Sequence, residues 1–373
     1  MKAIVLGAGL AGLATALSLA QLGIEVLLVE KYQEFGARGS TFGLRPNGLK
    51  AVLELGIQLA SLERVGIPLP TGGFMFAWWE FRDVLLNQVR SIANVNLYLG
   101  EHFTRICDSD EGAQVDFESG LKLEADFVVG ADGVHSDVRT WLGLPPAIST
   151  QTTVFRGFTT LDSNEQQPES TAPLSHLLRL GILPLHTAGN KGVMFMLFSF
   201  HDKHPGRLVW VCSTDQPVSE GCTAIDVCRE HVDDPEKLRV IEELLSRSDP
   251  EHLKPYPGTK IVDISESYLA SLKDGGWGGR GRVTILGDAA HAMRPTDGQG
   301  GSQAFEDAVV LGRILRHTPK GRLQEGLREF ERSRVDRVRR IHEDQTVRYD
   351  MRMRGTEAPP PSKEYQEWLF EGV

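Results

Sequence analysis

Two short apolar runs, residues 3–6 (AIVL) and 26–29 (VLLV), flank an Ala- and Leu-rich stretch, so the first thirty residues read as a strand, a helix and a second strand. A continuous apolar run recurs at 127–129, and Val283-Thr284-Ile285-Leu286 reads as a further buried strand, as expected of parallel strands buried on both faces. Apolar positions 49, 52, 53 and 55 form a helical stripe stopped by Gly56, and a second helix is predicted over 82–92 after a turn at 68–73. Alternating segments at 95–99, 103–107, 114–117 and 121–123, the last two parted by Ser119-Gly120, predict antiparallel strands laid beside the buried sheet.

From residue 152 the pattern changes. Strand-like segments at 153–161, 174–183, 192–200 and 207–214, parted by turns, predict an antiparallel sheet in a separate layer. An amphipathic helix over 222–247, a break at 250–257 and a strand at 260–264 follow, before the strand at 283–286 returns the chain to its first sheet. A helix is expected over 303–317 and a long one over about 323–354, then a tail marked by Pro359-Pro360-Pro361. Arginines crowd the long helix, but the interspersed Asp336, Glu343 and Asp344 predict a solvated face. The fold class is therefore α/β: a discontinuous Rossmann-like domain (1–150 and 276–322, with 70–95 a candidate contributor to the substrate side), an inserted antiparallel-sheet domain (151–275), and a C-terminal helix and tail (323–373).

The chemistry starts where the first strand ends, at Gly7-Ala8-Gly9-Leu10-Ala11-Gly12. In a glycine turn opening a helix, Gly7 permits the tight turn, Gly9 lets a pyrophosphate approach the backbone, and Gly12 lets helix and strand pack closely. Leu10 and Ala11 then bring free N–H groups to the phosphates at the helix N-terminus. Glu30, followed by Lys31, ends the second strand where an acid accepts hydrogen bonds from an adenosine ribose. The acid argues against a 2′-phosphate in this slot and leaves FAD and NAD open. The glycine fingerprint is read once in the chain.

Composition narrows the partners. At 373 residues, with 41% hydrophobic and 24% charged residues, the chain has the make-up of an ordinary globular protein of more than one domain. A formal charge of -10 speaks against a nucleic-acid partner and for a small molecule. Four cysteines without a CxxC pair or zinc-finger histidines predict reduced thiols and no metal site. No apolar stretch is long enough for an integral membrane span, which leaves a cytoplasmic protein, monomer or homodimer, as the expectation.

Three strand ends carry motifs of one kind: GAGLAG after the first strand, GADG after Val129 and GDAAH after Leu286. The order and spacing over residues 1–350 resemble the FAD-dependent aromatic hydroxylases, single-component flavin monooxygenases similar to para-hydroxybenzoate and salicylate hydroxylases. The resemblance implies an FAD-binding domain in which Gly7, Gly9 and Gly12 meet the pyrophosphate and Glu30 the ribose. Arg38 and Arg82 would lie near the pyrophosphate and Phe103 near adenine. By the same resemblance Asp132 serves the pyrophosphate region and the transient nicotinamide, and Asp288 the ribityl chain. Pro295 stands beside the oxygen-reaction site, while Gly298, Gly300, Gly301 and Ser302 approach the flavin ring; the family more often has Asn at the last of these. His291 is read as a packed or capping residue.

The implied reaction is FAD reduction by NADPH or NADH, addition of O2 to give a flavin C4a-hydroperoxide, and oxygen transfer that hydroxylates or epoxidises a small aromatic or apolar organic substrate. Catalytic residues in the substrate domain are left unassigned; Arg156, His176, Arg179, His186, Phe195 and Phe198 are candidates to project toward it. An oxidase, a reductase and a non-catalytic flavin-binding protein stay open on the same fold. A halogenase is the remaining alternative, but the Trp78-Trp79 pair lacks the WxWxIP pattern of such enzymes.

Overall fold

A computed structural model of the protein describes residues 1–36, 41–149, 152–161, 182–185, 193–200, 206–255, 260–272, 275–294, 298–353 and 359–373. Its central sheet is parallel and five-stranded, in the order Val283–Ile285, Phe127–Gly130, Lys2–Leu6, Glu25–Glu30, Val95–Leu99. The apolar runs fill its interior strands: Ala3, Ile4, Val5 and Phe127 to Val129 are fully buried. All three motif-bearing strands therefore end on one edge of one sheet, side by side.

Val95–Leu99 does not belong to the antiparallel set predicted for it. It pairs in parallel with Glu25–Glu30 as the edge strand of the main sheet, with Glu30 opposite Leu99. Its alternation reflects partial burial at an edge, and a period of two does not distinguish parallel from antiparallel neighbours. The other alternating segments, Phe103–Asp108, Ala113–Phe117 and Lys122–Ala125, do form a separate antiparallel sheet.

The helix Leu10–Ala20 packs closely on the helix Gln299–His317: Ser18 Oγ donates to Ala308 O at 2.6 Å, and a Cβ on Gly312 would stand 2.2 Å from that hydroxyl oxygen. Gln299–His317 starts four residues before its expected N-terminus, because Gly298 takes a left-handed conformation (φ 65°) that turns the chain directly into the helix. A small antiparallel sheet, Thr41–Leu44, Phe74–Ala77 and Ile67–Pro68, is fixed to this helix by Phe42, Phe76, Phe81 and Phe305, whose ring centroids lie 4.6–6.1 Å apart in consecutive contacts. The helix after it, Trp78–Arg90, begins at the tryptophan pair rather than at Arg82.

The second layer is a four-stranded antiparallel sheet ordered Thr153–Thr160, Arg207–Thr214, Val193–Ser199, Ile182–Leu185. One face, with Phe155, Phe195, Trp210 and Cys212, is buried in its own apolar cluster under two helices. Those helices, Ala224–His231 and Pro235–Ser246, replace the single helix expected over 222–247. Asp234 caps the second through Glu236 N and Lys237 N, and Pro235 in its first turn cannot continue a preceding helix. Lys260–Ile261 pairs with Ile148–Ser149.

The long helix spans Leu323–Met353, and the presumed tail holds a further helix, Lys363–Glu371, capped by Ser362 Oγ accepting from Tyr365 N. The solvated arginine face fails at Arg334, which is fully buried. A second run with the glycine spacing, Gly276-Trp277-Gly278-Gly279-Arg280-Gly281, was missed in the sequence. It precedes the strand Val283–Ile285 rather than following one, and Gly276 and Gly279 serve to let Glu331 approach: added Cβ atoms would lie 2.4 and 2.0 Å from its carboxylate. No helix among the described residues is long and apolar enough to cross a membrane.

Candidate active site

The glycines after the first strand have different neighbours. Gly7 (φ 102°) donates to Val29 O, and a Cβ there would meet Ala131 O at 2.5 Å; on Gly12 it would meet Gly7 O at 1.8 Å. On Gly9 it would meet nothing within 4 Å among the described residues. Two glycines are thus required by protein packing, while the third faces open space. Gly9 is also the N-cap of Leu10–Ala20 with no side-chain cap, so the first N–H groups of that helix face the same space.

That space is a cleft of ≈ 240 Å³ whose lining includes Gly7, Gly9, Glu30, Arg82, Phe103 and Asp132. Glu30 is buried, its two carboxylate oxygens accepting from Ala8 N at 3.0 Å and Tyr32 N at 3.1 Å. The backbone thereby holds the acid at the cleft floor. Lys31 also lines the cleft, with its ammonium 5.6 Å from the Tyr32 ring. Arg82 is buried, donates to Gly36 O at 2.8 Å and Asp83 Oδ1 at 2.7 Å, and lies over the Phe35 and Trp78 rings. Arg38 lies outside the described residues.

Asp132 has a divided role. Its Oδ2 accepts from Asp137 N and Val138 N at 2.8 and 3.0 Å, capping the helix Asp137–Trp141, while its buried Oδ1 has no partner among the described residues. Burial raises its carboxyl above the ordinary aspartate range against the hydrogen bonds from Ser136, Val138 and Asp137. A buried acceptor left open on a ligand cleft fits a group that brings its own donor, such as a hydroxyl.

The third strand end lies deeper along the edge. Gly287 (φ 58°) sits between Ala11 and Ala304, where a Cβ would come within 2.9 and 3.3 Å of their methyl carbons. This contact brings GDAAH against both GAGLAG and the helix Gln299–His317. Asp288 is reached by solvent and yet walled by protein. That desolvation pushes its carboxyl up, opposed by His291. A Cβ on Gly300 would stand 3.9 Å from Asp288 Oδ1, so the start of the helix and this carboxylate are neighbours. Gly301 is dictated by Phe42, whose ring edge would lie 2.1 Å from its Cβ, and Gly298 rests near Gly43 O and the Arg45 side chain. Ser302 turns inward: it is fully buried and its Oγ accepts from Arg45 N at 3.2 Å. Pro295, Thr296 and Asp297 lie outside the described residues.

The FAD binding domain model matches residues 74–345, nearly three quarters of the chain, and an NAD(P)-binding Rossmann-like model matches 5–63. The chain belongs to the FAD-dependent aromatic hydroxylase family. Among its relatives is the FAD-dependent urate hydroxylase of Klebsiella pneumoniae, 27% identical over 91% of this chain and 87% of that protein. The FAD-dependent monooxygenase ausM of Aspergillus calidoustus is 26% identical over 92% of this chain and 78% of its own. In three dimensions the chain is similar to Klebsiella pneumoniae HpxO complexed with FAD and uric acid, at a TM-score of 0.72 and 25% identity, covering 100% of this chain and 93% of that one. The protein is an FAD-dependent monooxygenase and its cofactor is FAD.

Beneath the flavin monooxygenase's helix N-terminus lies a buried ionic cluster absent from the sequence reading. Asp307 Oδ2 accepts from Gly287 N at 2.9 Å and meets His291 Nε2 at 2.6 Å, and Arg334 Nε donates to Asp307 Oδ1 at 2.7 Å. Burial works to raise the Asp307 carboxyl, but His291 and Arg334 outweigh it and hold it down at about 2. Glu306 takes Arg334 and Arg337, and Asn47 Nδ2 donates to both Glu306 Oε1 (2.7 Å) and Gln299 Oε1 (3.0 Å). His291 is therefore packed, as expected, but it anchors a cluster rather than merely filling space.

The substrate candidates separate by strand register. Phe195 is on the face turned to the sheet's own helices, stacked on Trp210 at 6.2 Å, and is core. The opposite face carries Phe158, Val209 and Phe198 in one row and Arg156, Val211 and Met196 in the next. Phe198 and Val209 there cluster with Ile67 and Met75 of the small sheet that adjoins the helix N-terminus. His176, Arg179 and His186 lie outside the described residues.

Proposed function

We propose that this FAD-dependent monooxygenase adds one oxygen atom of O2 to a small, flat aromatic or heterocyclic substrate, with NADH or NADPH as a transient reductant. In this reading residues 1–150 and 276–322 hold FAD, and the sheet within 151–275 supplies the wall that covers the substrate. Gly9, Leu10, Ala11 and Arg82 take the diphosphate, Glu30 the adenosine ribose, Phe103 the adenine, and Asp132 and Asp288 the sugar-like hydroxyls between. Gly298, Gly300 and Gly301 bring the N–H groups of a nineteen-residue helix to the reactive ring. When bound, FAD accepts electrons from the nicotinamide and hands an oxygen atom from O2 to the substrate.

The protein's own contribution is positioning and electrostatics. The positive end of Gln299–His317 stabilises negative charge that develops beside it. The Phe198, Val209 and Met196 face excludes water, and Arg156 in the same face supplies a fixed cation for an oxygen-bearing ring. The observation that carries this reading is that Asp288 stands beside Gly300 at the start of the helix Gln299–His317, while Gly287 packs that strand end against the GAGLAG turn that lines the cleft. The likeness to a urate hydroxylase supports an oxygen-bearing heterocycle as the substrate class. Purified protein reconstituted with FAD is expected to be yellow and to oxidise NADH or NADPH faster when urate, hydroxypyridines or hydroxybenzoates are added, with 18O from 18O2 in the product. Protein that takes up no FAD, or that consumes NAD(P)H with no substrate dependence across such a panel, would overturn it.

A further inference from the structure

The helix Lys363–Glu371 lies far along the chain from every motif, yet it is tied to the residues that hold the flavin-side helix N-terminus. Trp368 is held against two arginines of the long helix, Arg337 at 4.8 Å and Arg340 at 4.0 Å from its ring centroid. The last-turn carbonyls, which have no partner within their own helix, are taken from outside: Arg337 Nη2 donates to Leu369 O at 2.8 Å and Lys50 Nζ to Glu371 O at 3.0 Å. Phe370 lies 5.8 Å from the Arg45 guanidinium, and Gly372 closes on Asn47, with a Cβ there 3.6 Å from the Asn47 Cβ.

Three of these partners, Arg337, Asn47 and Arg45, continue to the helix Gln299–His317. Arg337 Nε donates to Glu306 Oε2 at 2.6 Å; Glu306 Oε1 accepts from Asn47; Asn47 Nδ2 also donates to Gln299 Oε1, the first residue of that helix. Arg45 donates through its backbone to Ser302 Oγ, and its side chain packs at Gly298. Two relays thus run from the C-terminal helix to the helix start, one through Arg337, Glu306 and Asn47 and one through Arg45, both passing the start of the helix Pro46–Glu54. Among the described residues none runs to Gly9, Glu30 or Arg82.

We propose that the helix Lys363–Glu371, through Trp368 and Phe370, is a positioning element that sets the orientation of the flavin-side helix N-terminus, and with it the reduction potential of the bound flavin and the coupling of NAD(P)H oxidation to oxygen transfer. This rests on the reading of Gly298–Gly301 as the flavin end. A stabilising role alone would lower the melting temperature and leave the potential unchanged.

The test is Trp368→Ala and Trp368→Phe in the full chain with FAD bound. For Trp368→Ala we expect FAD affinity within about threefold of wild type, a more negative midpoint potential, and a several-fold larger share of reducing equivalents released as hydrogen peroxide; Trp368→Phe restores potential and coupling. If Trp368→Ala does not fold, Arg340→Met, which removes the guanidinium nearer the Trp368 ring, is measured in the same way. Unchanged potential and coupling in the folded variant overturn the proposal whatever its melting temperature. Wild-type protein that binds no FAD would instead overturn the reading of the site.

Discussion

Gly9 and Gly12 are the same residue type three positions apart and should fail in opposite ways. A methyl on Gly12 would stand 1.8 Å from Gly7 O, and backbone on both sides leaves no room to yield. Gly12→Ala is therefore expected to destabilise the apoprotein by about 3 kcal/mol, read from urea unfolding. Gly9 faces open space, so Gly9→Glu should fold with a near wild-type melting temperature and retain no flavin absorbance after gel filtration, because charge and bulk fill the diphosphate position. Retained flavin in Gly9→Glu would remove this glycine from the cofactor site. Such residues are legible in a sequence because a backbone constraint forces one residue type at one spacing. Asp132 is only half legible: the DG pair marks the turn, but the split between a capping oxygen and an open one follows from the packing of the helix Asp137–Trp141. At Ser302 the side chain is claimed by Arg45 N, a contact across 257 residues that no local pattern contains.

The long helix shows why some elements are legible in outline and misread in detail. Its inward stripe runs through Leu327, Glu331, Arg334, Val338, Ile341, Gln345 and Arg348, all buried and alternately four and three residues apart. Leu327, Val338 and Ile341 set that phase, and extending it lands on Arg334. A reading based on hydrophobicity alone loses the stripe where charged residues occupy inward positions, since nothing local announces Glu306 and Asp307 as their partners. Arg334→Met leaves two buried carboxylates short of a guanidinium and is expected to cost about 3–5 kcal/mol in urea unfolding. Arg339→Ala, which breaks rim pairs with Asp336 and Glu343, should cost less than about 1 kcal/mol. Equal losses would mean that the buried cluster does not hold the helix. The parallel strands, by contrast, were legible because continuous apolar runs have few other places to go; the edge strand Val95–Leu99 was misassigned because half-burial imitates alternation.

At the scale of the molecule, Asp307 joins pieces that the sequence scatters: Gly287 and His291 after one strand, Arg334 on the long helix and, through Glu306 beside it, Asn47 and Arg337. Its carboxyl is held at about 2 in the folded protein, below the ordinary 3.8, so the folded state binds this proton less readily than the unfolded chain. The stabilisation is complete above the unfolded value and is lost as pH falls through the folded one, a window from about pH 4 to pH 2, for about 2–3 kcal/mol. Asp132 and Glu331 are shifted the other way by burial, so folding favours their protonated forms and their contribution to stability rises as pH falls. The total acid response is a balance of opposing groups and does not isolate the cluster. The difference between wild type and Asp307→Asn does, because the other carboxyls are common to both. Urea unfolding of the two apoproteins at pH 5, 4, 3 and 2.5 should show the wild type losing about 2 kcal/mol more than the variant across that range. Parallel curves would mean that Asp307 does not carry the acid sensitivity of the junction, and that strand pairing and packing alone join the discontinuous halves of the nucleotide sheet.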